Sequence, residues 1–192
     1  MALNFWQNPN LEPKRSFKFI LSIPGGDNTT GISEFLVKKV KKPEWEIGAI
    51  EHKFLNHSFH YPGKVKWSPI DITVVDTIDP TANASQQIMN ILEQSGYALP
   101  TTPTVDGIGW GTVSKSKAVN NALGNITIKT IDSDGVVVEE WVLNNAWVSK
   151  VAMGELTYDD EALVDVTLSI QYDNAFIDIK NGPAGKIPST SG

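Results

Sequence analysis

The stretch 165-DVTLSIQYDNAF-176 decides how the rest of the chain is read. In an extended strand successive side chains point to opposite faces. Val166, Leu168, Ile170 and Tyr172 therefore share one side, and Asp165, Thr167, Ser169, Gln171 and Asp173 share the other. The first side is suited to a core. The second is acidic and hydroxyl-rich, and alternation alone leaves open whether it lies under bulk water or faces something more particular.

The same period recurs upstream. In 15-RSFKFILSI-23, Phe17, Phe19, Leu21 and Ile23 alternate with Lys18 and Ser22. Residues 34-EFLVKKV-40 read as a second strand, which Pro43 ends or edges. In 65-VKWSPIDITVVD-76, Ile70, Ile72 and Val74 oppose Asp71, Thr73 and Val75. NITIKTI and GVVVEEWVL flank Asp132-Ser133-Asp134-Gly135, a hairpin signal, and NAWVSKV and EALVDVTLSIQY complete the set. One helix is expected, in 83-NASQQIMNILEQSG-96. It places Ile88, Met89, Ile91 and Leu92 along a face, with Asn83 as N-cap, Gln86 three residues on and Gly96 as terminator. The count, about seven or eight strands and one helix, predicts a mainly β protein: an antiparallel β-sandwich or barrel with one flanking α-helix.

At 192 residues the chain suits one domain with a real core. The expected organisation is an N-terminal arm over 1–15, a β domain over 16–178 with a loose Pro/Gly-rich loop over 98–123, and a tail over 179–192. Within that loop Trp110 stands between Gly109 and Gly111 and is expected to dock somewhere. There is no cysteine, which excludes disulfides, Cys–zinc sites and thiol nucleophiles. No run approaches the roughly 18 apolar residues of a membrane span, and no basic segment followed by an apolar run opens the chain, so no secretory signal is expected.

The net charge of −6 hides an asymmetry. Residues 1–66 hold 10 Lys/Arg and 6 Asp/Glu, and residues 67–192 hold 6 and 16. Tails alone could produce this; so could a basic surface on one copy that meets an acidic surface on the next.

No catalytic or metal constellation emerges. His57 and His60 would point to opposite faces of a strand, a poor metal spacing. Asp132-Ser133-Asp134-Gly135 opens like a calcium loop but lacks the remaining ligands and the closing Glu. Glu139 and Glu140 are adjacent in a strand and so form a poor acid/base dyad. The turn Asp159-Asp160-Glu161 is most simply solvated. There is no phosphate-cradling loop and no Ser/His/Asp pattern, and neither an enzyme activity nor a cofactor is expected. The one dense basic run, Lys38, Lys39, Lys41 and Lys42, stands in a chain of acidic balance, the opposite of what a specific DNA reader needs.

The block 37-VKKVKKPEWEIGAIEHKFLNHSFHYPGKVKWSPIDITVVD-76 resembles the tail-tube proteins of T4-like contractile bacteriophages. The matching features are Lys42-Pro43, a long hairpin arm with His52 and Leu55-Asn56, the Tyr61-Pro62-Gly63 turn, and a strand carrying Trp67 that ends at Asp76. The likeness continues through the helix and through 147-WVSKVAMGELTYDDEALVDVTLSIQYDNAF-176, and covers roughly residues 16–177. It implies hexameric rings that stack head to tail into a hollow tube within a contractile sheath, assembled in the host cytoplasm as part of a virion. The implied partners are other copies, the tail sheath protein, and baseplate and tail-terminator proteins. DNA would be only in transit and no membrane would be involved.

Under that resemblance Asp71, Thr73, Asp165, Thr167, Ser169, Gln171 and Asp173 are candidates to face the lumen, where carboxylates and hydroxyls would repel rather than hold phosphate. Stacking candidates are Ile47, Ile50, Phe54, Leu55, Phe59 and Tyr61 on the arm, with Lys41 and Lys42 beside it. Alternatives are a tube initiator of the baseplate, a secretion-system tube protein of the same fold, or a ligand-binding β-sandwich with its site at the Trp110 loop.

Overall fold

The computed structural model describes residues 13–25, 31–80, 82–98, 111–159 and 161–180. Among them are ten strands: β1 (Phe19–Ser22), β2 (Val37–Val40), β3 (Glu44–Phe54), β4 (His57–Ser68), β5 (Ile70–Val75), β6 (Ile126–Ile131), β7 (Val137–Asn144), β8 (Trp147–Ala152), β9 (Asp165–Gln171) and β10 (Asn174–Ile179). Two four-stranded antiparallel sheets, ordered β1-β6-β7-β10 and β2-β5-β9-β8, make the body, and β3 and β4 form a separate two-stranded ribbon.

Alternation supplies the core. Ile70, Ile72 and Val74 of β5 pair across with Ile170, Leu168 and Val166 of β9, and all six are buried. Leu21, Ile126, Ile128 and Leu143 of the first sheet join them in one hydrophobic cluster. At roughly 1.5–3 kcal/mol for each large aliphatic side chain buried, this shared interior holds the two sheets together. The helix α1 (Ala84–Gln94) closes one flank with Ala84, Ile88 and Ile91. Asn83 caps it by accepting from the Gln86 N–H at 2.8 Å, and the chain leaves it through Gly96, whose φ of +101° suits glycine.

Several expectations need correcting. Residues 34–36 form a 3₁₀ turn, and the strand begins only at Val37. Met89 and Leu92 lie on the outer side of α1, with Gln87 buried instead. Residues 115–123, placed in a loop by their polar composition, are helical: α2 (Lys115–Lys117) runs into a wider π-type turn over Ala118–Leu123, which buries Ala118, Ala122 and Leu123. The body has eight strands, and the last is β10, which crosses over to pair with β7 of the other sheet. The hairpin at Asp132–Gly135 is present: Asp132 Oδ1 accepts from the N–H groups of Asp134 and Val136, each at 2.9 Å. Residues 1–12, most of the 98–110 segment with Trp110, and 181–192 lie outside the described residues.

Candidate assembly surfaces

Three features on the body and arm bear on function: the outer face of the second sheet, the ribbon, and the carboxylate that ties the ribbon's root to the body.

The outer face carries what alternation leaves on it. Asp71 pairs with Ser169, Thr73 with Thr167, and Val75 with Asp165 across β5 and β9, and Gln171 pairs with Trp147 of β8. Ser169 donates its hydroxyl to Asp71 Oδ1 at 2.6 Å. Six of the seven polar candidates named from the sequence are thus assembled on one face. Asp173 lies beyond β9, in the turn to β10, where Lys115 (2.6 Å) and the Asn145 amide (2.8 Å) bind it and hold its pKa below the usual carboxylate value.

The face is also less acidic than a single strand suggests. Lys38 pairs with Asp165 at 2.6 Å, Lys39 is the register partner of Thr73, and Lys150 that of Ser169. The lysines of β2 could not be placed on this face without the strand order, because β2 is distant in sequence from β9.

The ribbon β3–β4 runs 11 residues along β3, roughly 35 Å at the rise of a strand. Each strand pairs only with the other, and every β3 residue is exposed. Its root is fixed by aromatic contacts: Trp45 to Trp67 at 5.4 Å between ring centroids, and Trp67 to Tyr172 of the body at 5.8 Å. The register slips between Ile47 and Ala49, so that Gly63 and Lys64 together oppose Gly48. A side chain on Gly63 would stand 2.9 Å from the Gly48 carbonyl oxygen, which is why glycine occupies position 63 of this bulge.

The bulge divides the apolar surface. On the root side Trp45/Trp67 and Ile47/Val65 are cross-strand pairs on one face; counting along β3, the pairs Ile50/Tyr61, His52/Phe59 and Phe54/His57 occupy the opposite face of the tip. Ile50, Phe54, Phe59 and Tyr61 are each about half exposed or more. At the two-residue turn Leu55 is 86% exposed with φ +50°, a left-handed conformation that a leucine side chain disfavours. Of the other stacking candidates, Lys41 bonds to Glu44 at 2.6 Å and Lys42 to Glu139 at 2.6 Å, so both are engaged within their own chain.

Glu139 is the residue that sequence reasoning missed. It is 4% exposed, and its carboxylate meets Lys42, Lys14 and the Trp141 indole N–H (2.7 Å). Burial alone would push its pKa up; the bonds from Lys14, Lys42 and Trp141 outweigh that and hold it at about 2. Because Lys42 immediately precedes Pro43 and β3, this buried anion fixes where the ribbon leaves the body. A lysine run followed by Lys-Pro is the only signal the sequence offers, and it does not name the partner. Among the described residues no group of His, Asp and Glu could hold a metal ion.

No protein-family model matches the sequence, and no curated protein matches it. Solved structures do match in fold. A protein in the baseplate of the anti-feeding prophage aligns at TM-score 0.63 and 12% identity, over 87% of this chain and 96% of that one. A protein in the cap terminating the tube of that prophage gives 0.61 and 15%, over 93% and 99%. A protein in the extended sheath–tube complex of the extracellular contractile injection system PVC gives 0.59 and 15%, over 93% and 99%. At these identities the likeness is one of fold: the two-sheet body is that of proteins found in contractile injection assemblies.

Proposed function

We propose that this protein is a structural subunit of a phage-type tail tube. It would form hexameric rings that stack head to tail into a hollow conduit for DNA inside a contractile sheath, and its neighbours would be sheath, baseplate and terminator proteins. The observation that carries this reading is the ribbon: an arm with apolar side chains on both of its faces, standing off a body whose fold occurs in such assemblies. A free hairpin gains nothing from exposing Ile50, Phe54, Phe59 and Tyr61 to water; a neighbouring subunit that covers them does. The outer face of the second sheet is the proposed lumen wall, with Asp71, Thr73, Asp165, Thr167, Ser169 and Gln171 along its middle and lysines toward its edges.

Negative-stain microscopy of the purified protein tests the proposal: rings or rods are expected, and a monomer at high concentration would end it. The matches to a baseplate and a cap protein favour one second reading, a subunit that begins or closes a tube. Such a protein would bind the end of an existing tube without polymerising alone.

A further inference from the structure

A buried hydroxyl stands idle beside the carboxylate at the ribbon's root. Alternation turns Ile126, Ile128 and Thr130 of β6 into the interior, and Thr130 is 4% exposed. Its Oγ1 is buried and meets no hydrogen-bond partner. Directly opposite on β7 stands Glu139, the register partner of Thr130, also buried and turned to the same side. The Cβ atoms of such a pair lie about 5 Å apart, within reach of a side-chain rotation. An interior hydroxyl without a partner is destabilising, and such groups are rare enough to require a reason.

The reason lies in how Glu139 is held. Each of its oxygens has its own ammonium. Oε1 accepts from Lys42 at 2.6 Å and from the Trp141 indole N–H at 2.7 Å, and Oε2 accepts from Lys14. Lys42 belongs to the ribbon's root, and Lys14 to the N-terminal segment, 125 residues from Glu139 along the chain. The Lys14 side chain is half exposed and can leave for solvent or another anion, whereas the carboxylate is buried and cannot follow it. Once Lys14 has gone, Oε2 needs a new donor, and the idle hydroxyl opposite is one.

We infer that Glu139 is a two-state clasp. With Lys14 in place it holds both the N-terminal segment and the ribbon's root; when Lys14 departs, the carboxylate turns to the Thr130 hydroxyl and loosens its hold on Lys42. Thr130 then donates to Oε2, so neither state leaves a buried charge bare. In the clasped state it is the neutral hydroxyl, the less costly group to strand, that goes without a partner. A partner presenting a carboxylate to Lys14 would therefore free the ribbon's root, and by linkage a force that draws the ribbon away would weaken the grip on Lys14. The device is complete within one subunit and does not depend on the tube reading.

Lys14→Ala, Thr130→Val, the two combined, and Lys14→Ala/Thr130→Ser are compared by urea unfolding and amide hydrogen exchange at matched dilution. Thr130→Val alone should leave the unfolding constant within about threefold of the parent, since the hydroxyl it removes is idle. Lys14→Ala alone should raise that constant about three- to tenfold, and Lys14→Ala/Thr130→Val at least about a hundredfold, because Oε2 then has no second donor. Serine at position 130 restores the hydroxyl and should return the unfolding constant to that of Lys14→Ala. Lys14→Ala should also speed amide exchange between Lys42 and Ile47 at least about fivefold, with helix α1 unchanged. Costs that simply add, with serine no better than valine, would overturn the change of partner. Unaltered exchange at the ribbon's root in Lys14→Ala would overturn the tie to the arm. Either result ends the inference.

Discussion

At the scale of single residues, two carboxylates do more than their positions in the sequence advertise. Asp76 closes β5 and then serves the helix: Oδ1 accepts from the N–H groups of Thr77 (2.9 Å), Ala84 (3.0 Å) and Ser85 (3.3 Å), and Oδ2 accepts the Ser85 hydroxyl at 2.5 Å. Burial works against its ionisation, but these bonds win and leave its pKa lowered. Asp76→Ala should cost about 1–2 kcal/mol, read as a lower urea midpoint at unchanged slope. Glu139 makes the larger prediction. Its folded pKa of about 2 lies below the ordinary 4.5, so its stabilisation is complete above about pH 4.5 and is lost as pH falls toward 2. Glu139→Gln should therefore destabilise by about 2–3 kcal/mol at pH 7, and urea melts of the two proteins should converge near pH 2.

Among the elements, what the sequence displays is what local periodicity controls. The alternation of β5 and β9, the hairpin at Asp132–Gly135 and the cap at Asn83 all stand where their patterns put them. Where a tertiary partner decides, the pattern fails. Ala118, Ala122 and Leu123 are helical because the body gives them somewhere to bury, although Asn120, Asn121 and Gly124 read as loop. β10 is a strand because β7 offers it a partner, whereas its own short run shows no pattern that marks a strand. The ribbon was legible as extended and aromatic, but the bulge that moves its apolar surface from one face to the other depends on pairing that no single strand records. Its role has a direct test. Phe54→Ser with Phe59→Ser removes two tip side chains that contribute nothing to the core, so in urea melts the variant should keep the wild-type unfolding free energy within about 0.5 kcal/mol. By sedimentation it should remain a monomer under conditions where the parent assembles.

For the whole molecule, charge has to be read through topology. The sequence separates a basic first third from an acidic remainder, yet the fold recombines them: Lys38 meets Asp165, and Lys42 meets Glu139. Part of the apparent polarity is thus consumed inside one subunit. The proposed lumen face is finely balanced for the same reason. Asp71→Lys together with Thr167→Lys should convert it into a phosphate-binding surface, and assembled variant should retain short duplex DNA at 50 mM salt that the parent releases. That retention should weaken steeply on raising the salt, as counterion release requires. Equal retention by parent and variant would remove this face from the channel.

Between β4 and β5 the chain passes through a single residue, Pro69, and the other side, from β2 to β3, is only Lys41, Lys42 and Pro43, with the Lys41 N–H held by the Asp71 carbonyl at 3.0 Å. The projection has no linker on which to swing. A push or pull at Leu55 is delivered along hydrogen-bonded ladders to Ile70 and the interior, so bending the projection means breaking pleated pairings instead of turning loose joints. In the proposed tube, stiffness of that kind would let the wall be driven forward without buckling.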